Sequence, residues 1–204
     1  MGRSSDARKR IIDSAFVLWF GRSYSDVGVS EICAEAGVQK GSFYHFFPSK
    51  ADLAVAVVDE VERRFRTEIV APFLNDPDVA PLERLEKLIE HHYAFAVATK
   101  AETGHVYGCP IGNLATELST QDEALRERLN VFFADWAEAF SRLLDEAVAC
   151  GDLPPHDTHS AGLSLLAYVQ GMTVLVKTSN DPDLIRTIGP VIVAIASAPA
   201  AVMV

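Results

Sequence analysis

The sequence predicts an all-α protein: a three-helix N-terminal head, residues 1–50, on a larger helical body, residues 51–204. Three observations carry that prediction. Apolar residues recur at helical spacing, most cleanly through Leu125, Leu129, Phe132, Phe133, Trp136, Phe140, Leu143, Leu144 and Ala147. Two short helical patterns flank a glycine corner at Ala36-Gly37-Val38. Charge is divided unevenly: residues 1–50 hold seven Lys/Arg against five Asp/Glu, and the remainder eleven against twenty-three, within a net charge of −10. A mildly basic head on an acidic body suits a polyanionic partner at one end only.

In the head, Ile11, Ile12, Ala15, Phe16, Trp19 and Phe20 form the apolar face of a first helix, with a cap at Ser4 to Asp6 and basic residues at Arg3, Arg8, Lys9 and Arg10. Gly21 and Tyr24 end it. Val29, Ile32, Cys33 and Ala36 mark a second helix, and Gly37 supplies the positive φ of the corner. A third, about two turns long, turns Lys40, Gly41, Ser42, Tyr44 and His45 outward and Phe43, Phe46 and Phe47 inward. Pro48 stops it. Ser49-Lys50-Ala51-Asp52 has the pattern of a capping box opening the next helix. Helix, corner and short helix make a helix-turn-helix, whose second helix enters the major groove of DNA. The expected DNA-contacting set is Ser30, Gln39, Lys40, Gly41, Ser42, Tyr44, His45 and Lys50. Lysine and hydroxyl side chains reach phosphates or base edges, and glycine admits close approach of the backbone.

The string GVQKGSFYHFFPSKADL resembles the DNA-binding signature of the TetR family of regulators, and the resemblance covers roughly the first 55 residues. Beyond them the likeness is one of architecture. Gly28 and Val29 stand where that family often carries Ser or Thr, which leaves Ser30 as the nearest hydroxyl. The resemblance implies a homodimer and a small-molecule effector.

The body starts with a long helix from Lys50 through Ala54, Val57, Val58, Val61, Phe65 and Ile69 to Pro72, read as a rigid lever. A Pro/Asp-rich loop, Asn75 to Pro81, follows. The helix Leu82 to Thr99 places Leu85, Leu88, Ile89, His92 and Ala96 on its apolar face, where His92 is either a bonded core residue or a ligand contact. Gly104 to Asn113 is a bent, closely packed segment. Its GCPIGNLATEL run resembles a segment that, in one branch of these repressors, enters a short helix at the ligand cavity and in some members carries a reactive cysteine. Cys109 is therefore a candidate redox residue, although its apolar sequence neighbours favour an inert packed thiol. The expected pocket wall is His92, Tyr107, Ile111, Asn113, Leu114, Phe133, Trp136, Phe140 and Tyr168, since apolar spaces between helices take small ligands.

His156 to His159 reads as a helix start. Leu163 to Val176 has no polar side and must be covered all round. Its cover is either the rest of a monomer or, as read here, the same helix and a last one, capped at Asp181-Pro182 and running through Ile185, Ile188, Ile192 and Ile195, from a second subunit.

No nucleophile elbow, phosphate loop or paired catalytic carboxylates are found, so no enzymatic activity and no cofactor are expected. His91, His92 and His105 lack a carboxylate or thiolate at ligand spacing, so no metal is expected. Three unpaired-looking cysteines and a polar N-terminal run point to an intracellular, cytoplasmic chain. Gly189, Pro190 and Pro199 interrupt the apolar C-terminal run, which argues against a membrane span. The reading is a DNA-binding regulator, a repressor released from an inverted-repeat operator by a small apolar or aromatic ligand. The competing readings are a helical ligand carrier and a regulator whose signal is oxidation of Cys109.

Overall fold

A computed structural model describes residues 2–198, with side chains from Asp6 onward. Its elements are α1 (Gly2–Gly21), α2 (Val29–Glu35), α3 (Lys40–Phe46), α4 (Lys50–Phe65), a π-helical segment (Arg66–Leu74), α5 (Pro81–Thr103), α6 (Pro110–Leu118), α7 (Glu123–Cys150), α8 (Thr158–Ser179), α9 (Asp183–Ile188) and α10 (Val191–Ser197). No strand occurs among the described residues. The side chain of Arg3, the cap at Ser4 and the tail from Pro199 lie outside the described set. The backbone of α1 already begins at Gly2, ahead of the expected cap.

Two compact units result, each discontinuous in sequence: residues up to Arg63 with Pro110–Phe132, and Arg64–Cys109 with Phe133 onward. In the first, α1, α2 and α3 pack on one another and α6 packs on α1. Ile11, Ala15, Val27, Ile32, Phe43 and Leu53 are completely buried there. Gly37 adopts φ +62°. The N–H of Val38 donates to the Cys33 carbonyl at 2.9 Å and that of Gly37 to Ala34 at 3.2 Å, so the corner is a Schellman cap. The predicted capping box differs in one bond. The Asp52 N–H donates to Ser49 Oγ at 3.1 Å, but the Asp52 carboxylate takes the Ser49 hydroxyl at 2.7 Å and not its backbone N–H. On α7, Arg128 pairs with Asp59 and Glu62 of α4.

In the second unit, the helix expected to run unbroken to Pro72 is α-helical only to Phe65 and continues in π register to Leu74. Pro72 lies inside that segment. A proline lacks the N–H of an α-helical bond and presses on the preceding turn, and the wider i→i+5 coil relieves the crowding. The lever is therefore not a uniform rod. Arg84 of α5 is 3% exposed; its guanidinium donates to the carbonyls of Val79 at 2.8 Å and Leu74 at 3.0 Å and meets Glu146 of α7 at 2.7 Å. Asp157 caps α8 by accepting the Ser160 N–H at 3.1 Å, which makes the His156 to His159 stretch a helix start. The expected last helix is two, α9 and α10, separated at Gly189-Pro190 because Pro190 has no N–H to continue the ladder.

A close approach of α8 to α7 depends on Gly162. A Cβ there would lie 2.3 Å from Ser141 Oγ, 2.7 Å from the Ala137 carbonyl oxygen and 2.9 Å from the Ser141 nitrogen. Two of those atoms are backbone and cannot swing aside, so the helices must separate. Gly162→Ala is expected to destabilise the fold by about 1–3 kcal/mol, read as a lowered Tm at fixed protein concentration. An unchanged Tm would show that the two helices slide freely.

Within the single chain α8 is covered on one side only: Leu163, Val174 and Leu175 are 46%, 57% and 56% exposed, and Leu165, Val169 and Met172 are buried. By length and composition alone, Thr158–Ser179 is also the one helix among the described residues apolar enough to cross a membrane.

Candidate nucleic-acid interface and effector cavity

Two short elements set the polar face of the head. Gln39 is the extended N-cap residue of α3, and its side chain makes no cap bond. Gln39, Lys40, Gly41, Ser42 and His45 are exposed, as is Ser30 in the first turn of α2. Tyr44 is 55% exposed, its ring edge-on to Phe43 at 5.2 Å. Phe43 and Phe47 are buried and Phe46 is half-buried, which anchors so short a helix from behind. A Cβ on Gly41 would meet nothing within 4 Å. The fold itself does not need that glycine. On α1, Lys9 pairs with Asp13, Arg10 with Asp6 and the Ala36 carbonyl, and Arg8 lies 5.3 Å over the Phe47 ring. Surface pairs of this kind are weak and exchange readily for phosphate.

Lys50, expected among the DNA contacts, is half-buried at the start of α4. Its ammonium donates to the Tyr24 carbonyl and lies 4.0 Å over the Tyr24 ring. Burial pushes its pKa down, against the charges of Glu117 and Asp26. Glu117 of α6 completes the cluster, with its carboxylate accepting from the Tyr24 N–H at 2.9 Å, the Ser25 N–H at 2.8 Å and the Ser25 hydroxyl at 2.6 Å. Burial alone would raise the Glu117 carboxyl; the bonds from Ser25 and Tyr24 and the Lys50 charge outweigh it and hold it below the usual range. Tyr24 is raised, by burial first and then by Asp122 and Glu117. Sequence reasoning missed Glu117, because no local pattern links a carboxylate to a turn 92 residues away.

The second unit contains an apolar cavity of about 40 Å³. It is lined by His92, Phe95, Ala96 and Thr99 of α5, Val106 to Gly108 of the following loop, Thr173 and Val176 of α8, and Ile185 of α9. His92 and Tyr107 alone of the expected pocket set are brought together here. The Nδ1 of His92 donates to the Leu88 carbonyl at 2.8 Å, which in the neutral ring leaves Nε2 as an acceptor. Burial lowers the ring's pKa, against the Leu88 bond and helped by His91.

The other expected wall residues are elsewhere. Ile111 and Leu114 are buried and Asn113 half-buried in the first unit. Phe140 is fully buried and stacks on Trp136 at 6.2 Å, Trp136 packs 4.7 Å from Phe65, and Phe133 is half-buried. The Tyr168 hydroxyl donates to the Ile188 carbonyl. Trp136, Phe140 and Tyr168 thus meet other aromatics or the backbone, away from the cavity lining. Cys109 is half-buried, and its sulfur accepts from Gln170 Nε2 at 3.7 Å.

Asn180, also missed, clasps the cavity loop. In a left-handed C-cap (φ 51°), its Oδ1 accepts the Val106 N–H at 2.9 Å, its Nδ2 donates to the Gly104 carbonyl at 3.0 Å, and its carbonyl takes Lys100 Nζ at 2.7 Å. Among the described residues no group of three or more His, Cys, Asp or Glu is placed to hold a metal.

Residues 11–57 match the profile of bacterial regulatory proteins of the tetR family, and residues 81–189 match the tetracyclin repressor-like C-terminal domain. The chain belongs to the TetR family. This TetR-family chain is 33% identical over 163 residues to the transcriptional regulator AcuR of Cereibacter sphaeroides, covering 79% of this chain and 72% of that one. It is 31% identical over 146 residues to the transcriptional repressor DhaR of a Mycobacterium species, covering 72% and 69%. Its fold matches the crystal structure of a TetR regulatory protein from Rhodobacter sphaeroides with TM-score 0.81 and 28% identity, over 92% of this chain and 97% of that one. As a TetR-family member it is a DNA-binding transcriptional regulator and not an enzyme.

Proposed function

We propose that this TetR-family protein is a cytoplasmic repressor. It binds an inverted-repeat operator as a homodimer and leaves it when a small, largely apolar ligand enters the cavity of the second unit. Residues 1–50 carry the DNA contacts, through Ser30, Gln39, Lys40, Gly41, Ser42, Tyr44 and His45, and residues 51–204 carry ligand and dimer. The observation that supports this most is the division of α3 into an aromatic back that the core holds and an exposed polar front. Two-fold pairing would set two such helices in successive major grooves, about 34–36 Å apart.

The exposed apolar flank of α8, with Val191 of the α10 packed beside it at 47% exposure, is the proposed dimer face. An apolar stripe of that kind is costly to leave in water. Leu175→Glu is expected to give monomers in sedimentation and to lower operator affinity with far-UV circular dichroism unchanged. A variant that remains dimeric would move the interface elsewhere.

A volume of 40 Å³ holds a water or two and not a drug-sized ligand. The effector would therefore favour an enlarged form of the cavity, and a ligand that fits one form better than the other shifts their equilibrium by that difference. Its polar handle would be a donor group meeting His92 Nε2, beside the hydroxyls of Thr99 and Thr173. The test is footprinting on the DNA that flanks the gene, at two salt concentrations. A protected inverted repeat with salt-sensitive affinity is expected, and absence of protection on both flanks counts against the reading.

A further inference from the structure

We infer that Glu117 is a positioning residue for DNA binding: from α6 it grips the turn between α1 and α2 and so sets how the helix-turn-helix is presented, without touching DNA. The inference rests on the helix-turn-helix reading of α2 and α3. The Glu117 carboxylate collects three donors from two consecutive residues, the N–H groups of Tyr24 and Ser25 and the Ser25 hydroxyl. Hydrogen bonds to an ionised acceptor are about twice as strong as neutral ones. The Tyr24 carbonyl is held in turn by Lys50, the first residue of α4, whose ammonium also covers the Tyr24 ring. The same ring lies 4.9 Å from Trp19 of α1. Tyr24 is thus fastened by α1, α4 and α6 together, with α2 beginning at Val29. Lys50 belongs to this fastening through the Tyr24 carbonyl.

A simple charge argument and this inference make opposite predictions. Removing a carboxylate from a DNA-binding head relieves repulsion from the phosphates and should tighten binding. Removing the grip should weaken it. Full-length Glu117→Gln is compared with the wild type by fluorescence anisotropy on a labelled duplex carrying the footprinted repeat, over a range of salt concentrations. Amide hydrogen exchange is followed in parallel. Binding about tenfold weaker is expected, with the slope of log affinity against log salt unchanged and faster exchange at Tyr24 and Ser25. Loss of a phosphate contact would instead lower that slope by about one.

Binding equal to or tighter than wild type for Glu117→Gln, or a loss with a changed slope, overturns the inference. Should Glu117→Gln fail to fold, Ser25→Ala removes one bond of the same grip and is read by the same outcomes. A wild-type protein that ignores the duplex would overturn the helix-turn-helix reading itself, whereas wild-type binding with an unaffected variant overturns only the role of Glu117.

Discussion

Gly41→Ala is expected to leave the protein folded and slightly more stable while removing operator binding. The added methyl meets nothing within 4 Å in the free protein, so no packing is disturbed. Alanine in place of glycine within a helix stabilises it by up to about 1 kcal/mol. On DNA the same methyl would stand between the first turn of α3 and the groove. Holding the helix off the duplex weakens several contacts together, each base contact being worth about 1–3 kcal/mol. The expected loss is more than about a hundredfold in affinity, or about 3 kcal/mol. A mobility shift with the operator duplex, beside a thermal melt, checks both halves. A variant that is more stable and binds as well as wild type would remove the recognition helix from the groove.

Arg84→Met is expected to cost about 3–5 kcal/mol of stability, close to the loss seen on breaking a buried pair from one side. The reason is less the ion pair than the carbonyls. Glu146 is 48% exposed and regains water when Arg84 leaves. The carbonyls of Leu74 and Val79, which close the π-helical segment and its loop, lose their buried donor. Unpaired buried polar groups cost about 1–3 kcal/mol each. Glu146→Gln should therefore be mild, below about 1 kcal/mol, because its charge is screened by solvent. Chemical denaturation at fixed protein concentration distinguishes the two. Equal losses would mean that the charge pair, and not the carbonyls, carries the stability.

Much of the head was legible because its signals are local. Gly37 needs a positive φ that few residues tolerate, Pro48 ends a helix by its own ring, and Phe43 and Phe47 mark an inward face by spacing alone. The pocket was less legible. Phe133, Trp136 and Phe140 were read as wall because they are aromatic on an apolar stripe, yet a stripe reports only that a side chain is covered and not whether protein or ligand covers it. The long helix past Lys50 was read as uniform because Pro72 signals a stop, and periodicity does not distinguish a stop from a change to the wider π coil.

The sequence by itself determined that the chain is helical, where its helices turn and which face of the short third helix is polar, since propensity, φ preference and spacing act within a few residues of one another. Only the tertiary structure decided that Glu117 holds the turn at Tyr24, that Lys50 bonds the Tyr24 carbonyl and that Asn180 clasps the cavity loop. Each of these bonds joins residues far apart in the chain, and which donor meets which acceptor is settled by how the helices pack.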